Sequence, residues 1–256
     1  MGVFNGEKTL QSSIQSILNQ TYTNWEFIIC DDCSKDNTWK ILESYSIDSR
    51  FILIKNQKNL GLAASLNHCL KKASGKYLVR QDADDTSHAD RFEVQLSYLE
   101  VNPHIDILGS YASLVNEHGT PWGSLKCPLH PKLNDWIKGS SVIHASVFMK
   151  TETIQSIGGY DPKAIRVEDY DLWMRLVSVG ICIESIPVEL YDVHWTEYDY
   201  IRKKFKYRLN EIRYRFYGFK KMKVPFWAYV YILKPIIVGL LPSRVLQLIH
   251  QKKFVR

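Results

Sequence analysis

Between residues 10 and 108, short apolar runs alternate with segments of helical periodicity, and several of the apolar runs end in acidic residues. Few folds accept that pattern. Leu10, Ile14, Ile17 and Leu18 recur at helical spacing, with Asn5 placed as an N-cap. The spacing predicts a buried strand over 25–30 running into Asp31-Asp32, then a helix around Trp39, Ile41, Leu42 and Tyr45. A strand over 51–54 follows, and Gly61 opens a helix carrying Leu62, Leu66, Cys69 and Leu70. Strands over 77–79 and 105–108 enclose a helix over about 90–100. Strand–helix alternation of this kind implies an α/β architecture with a mostly parallel sheet and flanking helices. The later part of the chain is less regular. It offers a strand over 144–150, turn material over 158–162, a helix starting at Glu168, and a strand over 188–193 that delivers His194.

In open α/β sheets ligands bind beyond the carboxyl ends of the strands. Asp31-Asp32 and the cluster Gln81-Asp82-Ala83-Asp84-Asp85 both stand at such ends, which places them in one site. Three carboxylates within four residues repel one another, and a divalent cation is the usual compensation. The alternative is a solvated acidic turn that caps the next helix. A second cluster, Glu168-Asp169-Tyr170-Asp171, opens a helix nearly a hundred residues later and offers a separate base, or acids placed on a helix dipole. Arg80 can bind phosphate or pair with an acid. No dinucleotide fingerprint or P-loop competes for a phosphate.

Net charge is divided unevenly. Residues 200–256 hold 15 Lys and Arg against one acid, Glu211, so an acidic body carries a basic tail. Residues 202–223 interleave those cations with aromatics, and 224–242 are mostly apolar but interrupted by Pro225, Lys234 and Pro235. A spanning helix needs about 20 mainly apolar residues and tolerates a central Lys poorly, so an interfacial segment on an anionic membrane is the expectation. Nucleic acid is the disfavoured partner, and a helical pair packed on the body is the plain alternative. Five cysteines, an odd number, point to a reducing compartment. Cys30 and Cys33 have no second pair to complete a zinc site. No apolar run near the N-terminus has the form of a signal peptide.

The ordered motifs resemble the family 2 glycosyltransferases, which have the GT-A fold. The matching pieces are Phe4-Asn5-Gly6-Glu7, residues 16–22, Asp31 to Thr38, Asn59 to Ala63, Gln81 to Asp85, His144, Gly158 to Asp161 and Glu168 to Trp173, over about residues 1–195. The chain departs from the family pattern at its start, where the first apolar strand is missing, and at Cys33, where Gly or Ser is usual. The expected organisation is a catalytic domain over 1–199 and a basic, membrane-associated helical tail over 200–256.

The resemblance implies a metal-dependent, inverting transfer of a sugar from a nucleotide-diphosphate donor, a UDP-sugar, to a hydroxyl of a glycan or lipid-linked acceptor. The alternative is a non-catalytic nucleotide-sugar-binding remnant. It implies Asp169 as the catalytic base and Phe4, Asp31, Asp32, Asp82 and Asp84 around the donor. Glu168 and Asp171 would position acceptor and loop. Asp84, Asp85 and His194 would hold Mn²⁺ or Mg²⁺. The implied location is cytoplasmic, on the inner face of the cell membrane.

Overall fold

A computed structural model describes residues 1–195, 205–240, 245 and 254. The elements run β1 (Gly2–Val3), α1 (Leu10–Leu18), β2 (Phe27–Asp31), α2 (Thr38–Glu43), β3 (Phe51–Lys55), α3 (Leu62–Lys72), β4 (Tyr77–Val79), β5 (Thr86–Ser87) and α4 (Arg91–Val101). They continue with β6 (Ile107–Val115), β7 (Pro121–Leu125), α5 (Leu133–Lys138), a 3-10 helix (His144–Ser146), β8 (Phe148–Lys150), α6 (Thr151–Ser156), α7 (Glu168–Ser178) and β9 (Ile183–His194). The chain closes with α8 (Phe205–Lys221), a 3-10 helix (Phe226–Leu233) and α9 (Lys234–Leu240).

Two sheets form. The first, in the order β1-β2-β3, is entirely parallel. The second, in the order β4-β8-β6-β9-β5 with β7 beside β6, is mixed. In it β6 and β9 are parallel, whereas β8, β7 and β5 run against their neighbours. As a result β4, β6 and β9 point the same way, and the segments that follow β4 and β9 emerge on one side. The larger core lies under the second sheet around Trp173, Leu172 and Leu176, which α7 presents at 0% exposure.

The expected absence of a first strand is corrected. Gly2–Val3 is a strand, paired in parallel with Cys30 and Asp31, but it is only two residues long. The ladder continues through the Met1 amino group, which donates to the Ile28 carbonyl at 2.8 Å. Below that point a slot of about 460 Å³ separates β2 from β4, lined by Trp25, Phe27, Ile28, Tyr77, Leu78 and Leu66 among others. Among the described residues β4 pairs only with β8. An apolar strand of about five residues fused ahead of Met1 is therefore expected to seat in the slot and raise Tm. Each apolar side chain buried stabilises by about 1.5–3 kcal/mol, and 1 kcal/mol moves Tm by roughly 2–4 °C at this size. Differential scanning calorimetry showing an unchanged Tm would reject this account of the slot.

Asn5 is not the cap of α1. The cap position is Thr9, while Asn5 adopts φ 53° and its side-chain oxygen accepts from the Lys35 backbone N–H at 2.8 Å. The loop after β1 is laced to residues 34–38 in the same manner: Asn5 N–H donates to Ser34 Oγ, Gly6 N–H to Thr38 Oγ1 and Glu7 N–H to Asp36 Oδ2.

The basic tail is joined to the body by a shared core. Phe219, Met222, Val224, Ala228 and Ile232 are buried in the same cluster as Trp173. The expected boundary at 199/200 lies outside the described residues, as do Arg202, Lys203 and Lys204 of the basic run and Pro242 at the end of the apolar one. No described helix is long and apolar enough to cross a membrane.

Candidate active site

β5 pairs antiparallel with the end of β9, Thr86 opposite Asp192 and Ser87 opposite Tyr191, and this pairing brings the first acidic cluster beside His194. The His194 backbone N–H donates to Asp85 Oδ1 at 2.9 Å. Tyr191, fully buried, lies beside Asp85, and its hydroxyl accepts from the Asp82 N–H at 3.0 Å. Gln81 ties the turn to α1, donating to Ser13 Oγ at 2.9 Å and to the Asp85 carbonyl at 2.9 Å.

Asp85 is 5% exposed. Its burial, followed by the charges of Asp82 and Asp84, holds its pKa well above the ordinary carboxylate range. Two guanidiniums lie close by. Arg80, itself buried, pairs with Asp82 and donates to the Gln81 carbonyl, so of its two readings the ion pair is the one formed. Arg91 is 0% exposed and spends its donors on Gln95, Ser87 and the Arg80 and Ala145 carbonyls. Burial lowers its pKa to about 10. It builds the floor under the turn.

Tyr160 lies within reach of both acidic clusters. The Tyr160 phenol lies within electrostatic reach of Arg80, Asp169, Asp82 and Glu168, and burial drives its pKa up. Its hydroxyl meets His144 Nε2 at 2.8 Å. Burial, then Arg80, pushes His144 down to about 3, so the imidazole is neutral at working pH and serves as a hydrogen-bonding partner, not an acid. Asn67 clamps the Tyr160 backbone, accepting its N–H at 2.9 Å and donating to its carbonyl at 2.8 Å. Gly159 makes the close approach possible: at φ 69°, a Cβ there would lie 2.5 Å from Asn67 Oδ1. Glu168 and Asp169 open α7, where the helix dipole favours acids. Burial and then Asp169 raise the Glu168 pKa.

Asp171 points elsewhere. Two residues beyond Asp169 on the helix, it is turned roughly 200° away and accepts from Arg175 Nε at 2.8 Å. Arg175 in turn donates to the Ile157 and Gly159 carbonyls, so Asp171 anchors the glycine turn from behind.

The paired acids of β2 are internal. Asp32 accepts from Asn56 Nδ2 and Leu60 N–H, both at 2.8 Å, and from Gly61 N–H at 2.7 Å. A carboxylate offers about four acceptor sites, so one is left for a ligand. Asp31 is 0% exposed; its Oδ1 accepts from Ser34 N–H, and its Oδ2 is buried with no partner. Phe4 stands 48% exposed at the mouth of this end of the sheet.

Crowding of Asp82, Asp84 and Asp85, together with a buried His194 Nδ1 that has no partner, fits a divalent cation. The ligand atoms of Asp84, Asp85 and His194 are not gathered within 4.8 Å of one another. The three therefore do not form a preassembled cage; Mn²⁺ or Mg²⁺ can be held by one or two carboxylates, with substrate phosphates completing the shell.

Asn67, Tyr191 and Arg91 carry no local signal in the sequence, while Tyr160 lies in the matched piece Gly158 to Asp161 without a role of its own assigned there.

The sequence model of Glycosyl transferase family 2 matches residues 1–151. The chain is 36% identical over 257 residues to the putative glycosyltransferase EpsE of Bacillus subtilis, covering 99% of this chain and 92% of that one. It is 33% identical over 179 residues, 70% of this chain and 68% of the relative, to the Escherichia coli UDP-Glc:alpha-D-GlcNAc-diphosphoundecaprenol beta-1,3-glucosyltransferase WfgD. Among solved structures it is similar to S. aureus TarS 1–349 in complex with UDP, with TM-score 0.64 and 17% identity over 92% of this chain and 79% of that one. It is also similar to the mannosyltransferase PcManGT of Pyrobaculum calidifontis in complex with GDP-Man and Mn²⁺, with TM-score 0.63 and 15% identity over 97% and 77%.

Proposed function

This chain belongs to glycosyl transferase family 2 and has the GT-A fold, and on that premise we propose that it is a metal-dependent, inverting enzyme that moves a sugar from a UDP-sugar to a lipid-linked glycan hydroxyl. The observation that carries the reading is that two acidic clusters come within reach of Tyr160: the Asp82–Asp85 turn tied to His194, and Glu168-Asp169. Asp169 takes the acceptor proton as the hydroxyl attacks the anomeric carbon on the face opposite the leaving group. Phe4 stacks near the base, Asp32, Asp82 and Asp84 face the nucleoside and diphosphate, and the buried Asp31 shapes the donor loop through the Ser34 N–H. Glu168 orients the acceptor at the mouth of α7. Asp84, Asp85 and His194 are the groups that would hold Mn²⁺ or Mg²⁺ together with the donor's phosphates, and the ion would supply charge that offsets the departing diphosphate. The donor in WfgD's name is UDP-Glc and its acceptor a diphosphoundecaprenol-linked sugar, which supports that substrate class here. The test is UDP release from a panel of UDP-sugars with a polyprenyl-diphosphate-linked sugar acceptor. Turnover with Mn²⁺ and none in excess EDTA is the expected result; full activity in EDTA would remove the metal from the mechanism.

The same reading places the enzyme on the anionic inner face of the cell membrane. Phe226 at 92% exposure, Trp227 at 55% and Val230 at 65% form an outward apolar edge, continued by Leu233, Ile237 and Leu240. Exposed Lys220, Lys221, Lys223 and Lys234 flank it. Aromatic residues suit the interface, and each cation near an anionic surface contributes about 1 kcal/mol. Deleting the tail would remove Phe219 and Met222 from the core, so point substitutions are the cleaner probe. In vesicle flotation the wild type is expected to rise with phosphatidylglycerol vesicles in low salt. The triple variant F226S/W227S/V230S should stay behind. Equal flotation of the two, or none by either, would exclude membrane docking by this edge.

A further inference from the structure

Far from the acidic turn, at the start of β9, four side chains of metal-binding type converge. Cys182 and Glu184 alternate along the chain and so share one face of the strand. His104 reaches them from the loop before β6, and His130 from the loop after β7. The ligand atoms of His104, Cys182 and Glu184 all lie within 4.8 Å of one another. His130 Nδ1 stands 3.2 Å from Glu184 Oε2, His104 Nε2 4.0 Å from Oε1, and Cys182 Sγ 3.9 Å from Oε1. Tetrahedral zinc, with bonds near 2.0–2.3 Å, sets its ligand atoms about 3.3–3.8 Å apart. His104, Cys182 and Glu184 form the gathered core, at distances just outside that range, and His130, beside Glu184 on its other oxygen, is the fourth ligand that would turn toward an ion held there.

The backbone holds the donors in place. Asp106 and Ile107 N–H both donate to the Cys182 carbonyl, at 3.0 and 3.1 Å, and Asp106 Oδ2 accepts the Cys182 N–H at 3.1 Å. Lys150 Nζ pins the loop bearing His104 through the Pro103 carbonyl at 2.9 Å. The Ser185 N–H, donating to the Leu129 carbonyl at 2.8 Å, sets His130 beside Glu184. The two imidazoles are about two-thirds exposed, at 65% and 68%, so an ion has a path from solvent.

We propose that His104, His130, Cys182 and Glu184 form a zinc site that staples the loop before β6, the loop after β7 and the start of β9. A set of two imidazoles, one thiolate and one carboxylate suits zinc and not the oxygen-seeking Mg²⁺ or Mn²⁺. β9 spans 12 residues from this site to His194, on the order of 35 Å at strand rise, so it is separate from the catalytic acids. Binding releases the Cys182 thiol proton to solvent as the sulfur–metal bond forms.

Cobalt chloride titrated into the metal-stripped, full-length protein tests this. One equivalent should produce a thiolate-to-cobalt charge-transfer band in the near ultraviolet, which the oxygen- and imidazole-based catalytic acids cannot give. Zinc chloride should abolish the band by displacement and slow alkylation of Cys182 at least tenfold, read by peptide mass mapping. The C182S and H104A/H130A variants, shown folded by circular dichroism without metal, should lose the band. Absence of the band in the wild type, its survival in C182S, or Cys182 alkylated as fast with zinc as without it would overturn the proposal.

Discussion

Asp169→Asn is expected to bind UDP as the wild type does while its transfer rate falls by at least ~10²-fold, the lower range for a positioned general base. The amide keeps the shape and the place at the first turn of α7 but cannot take the acceptor proton. The loss should therefore appear in kcat, with the donor KM little changed. Calorimetric UDP binding and steady-state kinetics on the same preparation make the separation. A variant that loses nucleotide affinity and keeps its transfer rate would move Asp169 out of the base role and into donor binding.

Asp85→Asn should abolish metal-supported turnover, and it carries a second, opposite signature in stability. The Asp85 carboxyl is buried among Asp82 and Asp84, and its folded pKa is raised. A group with a raised folded pKa contributes stability below its unfolded value, and that contribution is lost as pH rises through the folded value. In EDTA the wild-type Tm should therefore fall relative to the variant as pH climbs from near 4, the ordinary carboxylate value, toward neutrality. The amide of the variant stays neutral and still accepts the His194 N–H, so the variant lacks that decline. Mn²⁺ with UDP should restore the wild type at neutral pH and leave the variant unmoved. Parallel Tm–pH curves in EDTA would show that burial and the neighbouring acids do not raise the Asp85 pKa as described, and a variant with full turnover would remove Asp85 from the metal site.

The two classes of acid were legible for different reasons. Asp31-Asp32 and Asp82–Asp85 follow apolar runs too short to be helices, and a carboxyl strand end is a place the local pattern alone can identify. Asp169 was legible because acids opening a periodic segment stand out. What Asp171 does was not legible, since helical spacing gives its side of α7 but not which element covers that side; Arg175 and the glycine turn do. Asn5 had the residue type of a cap, yet Lys35, thirty residues away, offered its side chain a better partner.

By itself the sequence determined the α/β class, the order of the main elements between residues 10 and 108, the family, and the acids that end its strands, because each of these is written in periodicity and residue type over a few adjacent positions. The tertiary structure decided the rest. Parallel pairing of β6 with β9 joins segments some 75 residues apart, and through β5 it brings Asp85 to His194. Burial of Tyr160 within reach of both acidic clusters, the union of α8 with the catalytic core, and the slot beside a two-residue β1 likewise depend on which surfaces meet. Such meetings are set by packing and strand register across long loops, and no short stretch of residues encodes them.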